Sequence, residues 1–301
     1  MYIAITGGTG FVGRALAREL TRAGHRVVLV ARGVDQRDAA IRQLDSARFV
    51  AASLDDTAQL TQAFAGCDAV AHCAGINREQ GAQTYQHVHV EGTRNVVAAA
   101  HSAGVRKLVL LSYLHARPDC GSAYHETKWA AEELVRAAGI DHTILKAGMI
   151  YGKGDHMLGH ISHTLKLLPV FATVGLRERT VRPVAVADVV RILRAALVEN
   201  RMTNQTVAVL GPEEIDLSIV VRRVAQVMGR RVLVLPMPIV GQQLLAILAE
   251  RFMPVPLVTR SQIRMLAEGI STPLPGSVAP PHDLIPMIRL DAAQIRAGLP
   301  E

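Results

Sequence analysis

Aromatic residues, cysteines and runs of like charge are all scarce in this chain of 301 residues. Aromatic residues make up 4%, and the arginines are scattered without a recognition motif. These absences argue against nucleic acid as a partner, although the formal net charge is +7. Cys67, Cys73 and Cys120 lack the spacing of a metal site or a disulfide framework. We therefore expect no bound metal and a reducing compartment, the cytoplasm.

An uninterrupted apolar run of membrane-spanning length is also missing. The charge-free stretch 232–249 contains five interrupting residues: Pro236, Pro238, Gly241, Gln242 and Gln243. A strand followed by an amphipathic helix therefore explains this stretch better than a membrane span. No basic leader with an apolar stretch and a cleavage site precedes the strand-like run Met1–Thr6, so we infer no signal peptide.

Half of the residues are hydrophobic, and short apolar runs alternate with helical patterns. The strand candidates are Tyr2–Thr6, Arg26–Ala31, Arg48–Ala52, Ala69–Cys73, Lys107–Ser112 and His142–Lys146. The helix candidates are Val12–Ala23, Ala39–Leu44, Thr57–Phe64, Val88–Ala103 and Tyr124–Ala138. This alternation predicts an α/β fold, a doubly wound parallel sheet of Rossmann type with helices on both faces.

After Gly148 the alternation gives way to looser, glycine-rich chain, so we divide the protein into domains 1–150 and 151–301. Asp188 is predicted to N-cap a helix that runs through Glu199. The other predicted elements are the helix Ile161–Leu168, a strand near Thr206–Leu210, the helix Leu217–Met228 and the strand Arg231–Leu235. We expect the elements near 184–210 to pack back on the first domain, and the remainder to form a small substrate lobe.

The turn after the first strand reads Thr6-Gly7-Gly8-Thr9-Gly10-Phe11-Val12-Gly13. Three glycines spaced three apart permit a tight turn, backbone approach to a pyrophosphate and close packing of the next helix. The helix N-terminus offers free N–H groups to the phosphates. This context predicts a dinucleotide site that includes Gly7, Thr9, Gly10, Phe11, Val12 and Gly13.

The end of the second strand indicates which dinucleotide binds. Enzymes that use NAD carry an acidic residue at this point, which holds the ribose 2′-hydroxyl. Here the position is Ala31, and Arg32 follows. The missing acid and the added base both favour the 2′-phosphate of NADP(H) over NAD(H).

Tyr124 and Lys128 lie four residues apart in a predicted helix and so share one face. A free tyrosine, with a pKa near 10, is a poor acid–base group at neutral pH. A nearby ammonium and an oxidised nicotinamide lower that pKa, because both favour the phenolate. The pair therefore suits proton transfer coupled to hydride transfer at a carbonyl or an alcohol.

These residues resemble the short-chain dehydrogenase/reductase superfamily, in its extended or atypical branch similar to epimerases and dehydratases. The motifs that carry the resemblance are Gly7–Gly13, Cys73-Ala74-Gly75, Glu91-Gly92-Thr93, Tyr124 with Lys128, and Pro183–Val189. The resemblance implies further cofactor contacts from Ser53, Leu54, Cys73, Ala74, Gly75, Tyr124, Lys128, Ala147 and Met149. The segments 211–213 and 257–259 are similar to the nucleotide-binding accessory subunit of respiratory complex I.

Several positions depart from the family pattern. Tyr113 stands where the catalytic Ser or Thr normally lies, and Ser112 is one residue early, on the opposite face of the strand. His89 replaces a frequent Asn, Ser53 replaces a frequent Asp, and Lys146-Ala147 replaces Arg-Pro. The cofactor site therefore matches the family, whereas the reaction centre is altered.

Two classes of function remain open. In the first, Tyr124 is the acid–base residue, Lys128 tunes it, and Ser112 or a water polarises the carbonyl of a small-molecule substrate. In the second, the chain is a catalytically weak NADPH-binding module at a membrane or a quinone-linked complex. The apolar helix predicted at Ile239–Phe252 suits core packing, a homodimer interface or such peripheral docking.

Overall fold

The computed structural model describes residues 1–33, 39–238, 240–242, 263 and 266–300. Seven strands form the central sheet: β1 Tyr2–Thr6, β2 Arg26–Ala31, β3 Ala47–Ala51, β4 Ala69–His72, β5 Lys107–Tyr113, β6 Asp141–Ala147 and β11 Gln205–Val209. Their order is β11-β6-β5-β4-β1-β2-β3, and every pairing is parallel. The chain winds outward from β1 in both directions, which confirms the predicted doubly wound Rossmann sheet.

Helices cross between these strands: α1 Phe11–Arg22, α2 Thr57–Phe64, α3 Gly92–Ser102, α4 Ala123–Arg136 and, before β11, α6 Val186–Val198. Amphipathic spacing explains how they pack. In α1, Val12, Leu16 and Leu20 recur every four residues and are buried. The β1 residues Ile3 and Ile5 are 0% exposed, as expected for a strand in the middle of a sheet covered on both faces.

The chain divides into two compact units. The first contains Met1–Ala147, Val189–Val209 and Leu274–Ile285, and the second contains Gly148–Asp188, Leu210–Pro273 and Pro286–Glu301. The second unit holds β7 Ile150–Tyr151, α5 His156–Leu167, β8 Val170–Val174, β9 Thr180–Val181, β10 Val184–Ala185, β12 Ile215–Asp216, α7 Leu217–Val227, β13 Leu233–Met237 and α8 Ala292–Gly298. Its strands pair as β10-β7, β12-β9 and β13-β8.

Some predicted elements differ from those observed. Ala39–Gln43 forms a 3₁₀ helix rather than an α-helix, and a π-helical turn, Gln86–Glu91, precedes α3. Helix α5 begins before the predicted Ile161, because the Asp155 carboxylate accepts a hydrogen bond from Leu158 N at 2.7 Å and caps it.

Asp188 was expected to N-cap a helix, and this expectation is wrong. Helix α6 already begins at Val186. The carboxylate of Asp188 instead accepts hydrogen bonds from Met287 N and Ile288 N, both at 3.0 Å. A tertiary contact therefore determines the role of this residue. Most of the predicted helix Ile239–Phe252 lies outside the described residues.

Candidate dinucleotide site and reaction centre

The glycine loop joins β1 to α1 and packs closely on the end of β4. Gly7 has a φ of +67°, and a Cβ on it would lie 2.8 Å from Ala74 Cα. A Cβ on Gly13 would lie 2.2 Å from Gly7 O. Gly10 N donates to Gly7 O at 2.8 Å and closes the turn. Glycine is thus required at Gly7 and Gly13 because no side chain fits there.

The N-terminus of α1 has the properties that favour an anion. Gly10 is its N-cap and has no side chain to cap the first N–H groups, and the first turn contains no acidic residue. Phe11 and Val12 begin the helix, and Thr9 precedes it in the turn. Uncapped N–H groups and the positive end of the helix dipole fit a pyrophosphate.

At the end of β2 the structure places two arginines rather than one. Arg32 follows Ala31 and is exposed. Arg42 lies with its guanidinium carbon 4.3 Å from the centroid of the Phe49 ring and donates to Gly33 O at 3.3 Å. No sequence pattern pointed to Arg42. Positive charge at this strand end fits a nucleotide phosphate.

Ser53 and Leu54 follow β3 and precede α2. The Ser53 hydroxyl donates to Asp55 Oδ2 at 2.8 Å. Leu54 O accepts a hydrogen bond from Asn95 Nδ2 at 2.8 Å, so its backbone is fixed against α3. The Leu54 side chain lies against Gly92, where an added Cβ would meet Leu54 Cδ1 at 2.8 Å. The Gly92 position of the family motif is thus a close packing contact.

Lys128 reaches from α4 to the segment Cys73–Gly75. Its Nζ donates to Leu111 O at 2.9 Å and lies 3.7 Å from the point that a Cβ on Gly75 would occupy. Burial lowers the pKa of Lys128 to about 8, and the nearby Glu132 carboxylate opposes that shift. Burial raises the pKa of the Cys73 thiol to about 12, so this thiol is protonated and inert at neutral pH.

Tyr124 lies in a cluster of aromatic and imidazole rings at the carboxyl end of β5. Its ring centroid is 5.3 Å from that of Tyr113, 5.4 Å from that of Tyr85 and 5.5 Å from that of His89, all edge to face. Its hydroxyl donates to Asn77 Oδ1 at 3.4 Å. Burial, and then the charge of Tyr85, raise the pKa of Tyr124, which is opposite to the lowering by a nearby ammonium that the sequence led us to expect. In this arrangement Tyr124 is a protonated phenol, a proton donor.

His89 takes part in a chain of hydrogen bonds that fixes the cluster. Its Nδ1 lies 3.0 Å from Thr127 Oγ1, and the Thr127 hydroxyl donates to Ala123 O at 2.6 Å. His89 Nε2 lies 3.2 Å from Ile76 N and 3.1 Å from Ile76 O, and the tautomer of the ring sets which of these two contacts is a hydrogen bond. Burial lowers the pKa of His89 to about 2, so the imidazole is neutral.

His72 is a second buried neutral imidazole, and it lies in β4 beside the glycine loop. Thr6 Oγ1 lies 2.6 Å from His72 Nδ1, and Thr93 Oγ1 lies 3.0 Å from His72 Nε2. Burial lowers the pKa of His72 to about 3. These contacts tie β1, β4 and α3 together beneath the loop.

The hydroxyl of Ser112 belongs to a buried ionic cluster. It donates to Glu132 Oε1 at 2.5 Å, and Glu132 is 0% exposed. Lys146 Nζ lies 3.2 Å from Glu132 Oε2 and donates to Ala116 O at 2.7 Å. Arg136 also contacts Glu132 Oε2, at 2.9 Å. Ser112 is therefore engaged with a carboxylate on α4, while Tyr113 contacts Tyr124.

The structure brings together most of the residues predicted from sequence. The glycine loop, the segment Cys73–Gly75, Tyr124 and Lys128 lie at the carboxyl ends of β1, β4 and β5. Ala147 ends β6 next to β5, and its carbonyl accepts from Leu114 N at 2.9 Å. Met149 belongs to the second unit, where Val184 N donates to its carbonyl at 2.9 Å.

Sequence reasoning missed Asn77, Tyr85 and Glu132. A usable signal existed for Glu132, because Tyr124, Lys128 and Glu132 recur every four residues along α4. Asn77 and Tyr85 lie in the irregular segment after β4, where the Tyr85 hydroxyl donates to Asn77 O at 3.0 Å. No periodic pattern identifies residues in such a segment.

Comparison with known families assigns the chain to one of them. Residues 7–167, more than half of the chain, match the model of a family described as NAD(P)H-binding. The chain belongs to this NAD(P)H-binding family, and its resemblance to the extended or atypical short-chain dehydrogenases is confirmed.

Three relatives illustrate the range of sequence similarity. An uncharacterised Mycobacterium tuberculosis protein is 28% identical over 79% of this chain and 24% of its own length. The ceramide reductase of Caulobacter vibrioides is 36% identical over 51% of the chain and 47% of its own length. Mouse mitochondrial NADH dehydrogenase (ubiquinone) 1 alpha subcomplex subunit 9 is 26% identical over 78% and 63%. The chain thus spans about a quarter to two thirds of these relatives.

Solved structures share this fold. UDP-glucuronic acid 4-epimerase from Bacillus cereus, in complex with NAD, superposes with a TM-score of 0.74 at 17% identity. The alignment covers 99% of this chain and 97% of the epimerase. Within the described part of this chain, no helix has the length and apolar character needed to cross a membrane.

Proposed function

We propose that this chain is an NADP(H)-dependent oxidoreductase, with epimerase-like relatives, that acts on a carbonyl or hydroxyl compound. Tyr124 is the proton donor and acceptor, Lys128 positions the nicotinamide ribose and supplies positive charge, and Arg32 binds the 2′-phosphate. Gly7–Gly13, Ser53 and Leu54 contact the remainder of the dinucleotide, together with Cys73–Gly75 and Ala147.

One observation carries this proposal: Lys128 Nζ lies against Gly75, and Gly75 belongs to the segment on which the glycine loop packs. The segment Cys73–Gly75 is therefore in contact with both the glycine loop that leads into α1 and the face of α4 that bears Tyr124 and Lys128. A dinucleotide extended from the loop across this segment would reach Lys128.

The chain's own residues determine the proton chemistry. When bound, the nicotinamide supplies or accepts a hydride. The Tyr124 phenol is protonated because burial raises its pKa, so it donates to the oxygen of a carbonyl in the reductive direction. The Lys128 ammonium stabilises the phenolate that remains. The ring cluster excludes water around the phenol and favours a substrate with apolar groups beside its carbonyl.

NADP(H) is preferred over NAD(H) because the acid that would read a 2′-hydroxyl is replaced by Ala31. Arg32 follows it directly, and Arg42 lies at the same strand end, within hydrogen-bond distance of Gly33 O. Guanidinium groups bind phosphate oxygens in a bidentate manner.

The engagement of Ser112 by Glu132 favours a second candidate, a catalytically weak NADPH-binding module. In that case Tyr124 and Tyr113 serve as packing, and the bound nucleotide stabilises the first unit. A membrane or a quinone-linked respiratory complex would then supply the biological context, and the mouse relative is named as a subunit of a ubiquinone-linked NADH dehydrogenase.

Turnover separates the two candidates. Purified parent protein is assayed with NADPH on a broad panel of aldehydes and ketones, beside Tyr124→Phe and the control Tyr85→Phe. The oxidoreductase proposal predicts turnover by the parent and a loss of at least about a hundredfold in Tyr124→Phe with unchanged NADPH affinity. Binding of NADPH without turnover by the parent on any carbonyl would leave the module as the better account.

A further inference from the structure

Several large apolar side chains of the second unit are exposed. Leu167 is 64% exposed and Leu168 is 56% exposed, at the end of α5. In the two-stranded ribbon that follows, Leu233 is 57% exposed and Leu235 is 45% exposed. Single exposed leucines are ordinary on protein surfaces, but adjoining ones indicate an interaction site.

The backbone contacts place these residues next to one another. Leu233 N donates to Pro169 O at 2.8 Å, and the parallel register pairs Leu233 with Val170. Alternate residues of a strand face the same side, so Leu235 extends the surface from Leu233. The leucine strip is defined here as Leu167, Leu168, Val170, Leu233 and Leu235.

Basic residues flank the leucine strip at both ends. Lys166, Arg230 and Arg231 are exposed at one end, and Arg230 donates to Leu165 O at 3.0 Å, which ties it to α5. Exposed Arg177 lies at the other end, where Gly175 N donates to Met237 O at 2.9 Å. The sequence segments 160–177 and 229–242 contain no aspartate or glutamate. All formal charges in these two segments are therefore positive.

We propose that the leucine strip docks the protein on the surface of an anionic lipid membrane. The leucines enter the boundary between headgroups and acyl chains, and the flanking basic residues contact lipid phosphates. Charge identifies the occupant, because a second copy of the same face would place two basic rims against each other. This proposal is independent of the nucleotide and of catalysis.

The test is flotation of the full chain with vesicles. One set is phosphatidylcholine alone, and the other is an equal mixture of phosphatidylcholine and phosphatidylglycerol, each at low and high salt. We expect binding to the anionic vesicles only, weakened by salt. Lys166→Glu with Arg231→Glu should lower the partition coefficient at least about 25-fold, roughly fivefold for each basic residue.

Leu168→Ser with Leu233→Ser should lower the partition coefficient at least about tenfold, because apolar area is no longer buried. The matched controls are Met287→Ser, at an apolar residue 72% exposed in the same unit, and Arg296→Glu, at an exposed arginine of α8. Both controls should bind as the parent does. Thermal unfolding of each variant shows whether it remains folded.

Three results would overturn the proposal. The first is a parent that fails to float with anionic vesicles. The second is a charge variant or a leucine variant that floats as well as the parent does. The third result comes from sedimentation velocity. If the parent were a dimer and the double variant Leu168→Ser with Leu233→Ser were a monomer, the leucine strip would bind a second copy of the chain. Binding of NADPH is measured in parallel, so that failure of the membrane proposal is distinguished from failure of the proposed function.

Discussion

The glycine loop and the ring cluster around Tyr124 lie at the same edge of the sheet but depend on different contacts. In the loop, backbone packs on backbone, and a Cβ on Gly13 would lie 2.2 Å from Gly7 O. Around Tyr124, side-chain rings pack at centroid distances of 5.3–5.5 Å. Backbone packing of this kind admits only glycine, whereas a ring cluster tolerates exchange of its members. The glycine loop therefore keeps the family pattern, while the residues around Tyr124 depart from it.

The largest expected effect concerns the buried ionic cluster in which Glu132 contacts Ser112, Lys146 and Arg136. Glu132→Ala leaves Lys146 and Arg136 without their carboxylate partner and should cost about 3–5 kcal/mol of unfolding free energy. The control Glu133→Ala removes a neighbouring carboxylate that is 48% exposed and should cost less than about 1 kcal/mol. Urea denaturation measures both. A smaller loss for Glu132→Ala than for Glu133→Ala would contradict the role assigned to the cluster.

The next effect concerns the loop. Gly13→Ala places a methyl group against Gly7 O and should cost about 3 kcal/mol, with a parallel loss of NADPH affinity. The control Gly159→Ala adds a methyl group in α5 where, apart from the helix's own backbone, no heavy atom of the described residues lies within 4 Å, and it should stabilise by about 0.5–1 kcal/mol. Thermal denaturation with nucleotide titration provides the measurement. If Gly13→Ala lost neither stability nor NADPH affinity, the loop would not require glycine at this position for steric reasons.

A smaller effect is expected at the end of β2. Arg32→Glu should weaken NADPH binding by about 2 kcal/mol, roughly thirtyfold, and leave NADH binding within about threefold. The control Arg94→Glu reverses an exposed charge on α3 and should change neither affinity appreciably. Fluorescence titration of both nucleotides measures the difference. Equal weakening of NADPH and NADH would show that Arg32 does not distinguish the phosphate.

Two buried imidazoles, His72 beside the glycine loop and His89 in the ring cluster, should make the stability of the protein depend on pH in acid. Burial lowers the pKa of His72 to about 3 and that of His89 to about 2, below about 6.5 in the unfolded chain. The unfolded state therefore binds more protons as pH falls below 6.5, and stability falls with it. Each imidazole should contribute about 1.4 kcal/mol per pH unit between pH 6 and pH 4.

The variants His72→Asn and His89→Asn should each reduce that slope by the contribution of one proton, whatever their effect at neutral pH. Urea denaturation at a series of pH values gives the slopes. An unchanged slope in either variant would mean that the residue is already protonated in the folded protein or titrates without linkage to folding.

The sequence predicted the sheet, the loop and the Tyr124–Lys128 pair because each has a local signature. Strand alternation, glycine spacing and a four-residue helical interval are visible in the chain itself. Asp188 was misassigned because its partners are the distant Met287 N and Ile288 N. The roles of Ser112, Asn77 and Tyr85 likewise depend on contacts across 8–47 residues. Contacts of this kind follow only from the folded arrangement.

The central claim is that the glycine loop and Arg32 bind NADP(H). Isothermal titration of the parent protein with NADPH and, separately, with NADH tests this claim most directly. The account predicts one NADPH per chain, bound at least about tenfold more tightly than NADH. Tighter binding of NADH would contradict the assignment of Arg32. Binding of neither nucleotide would contradict the claim that this loop is a dinucleotide site.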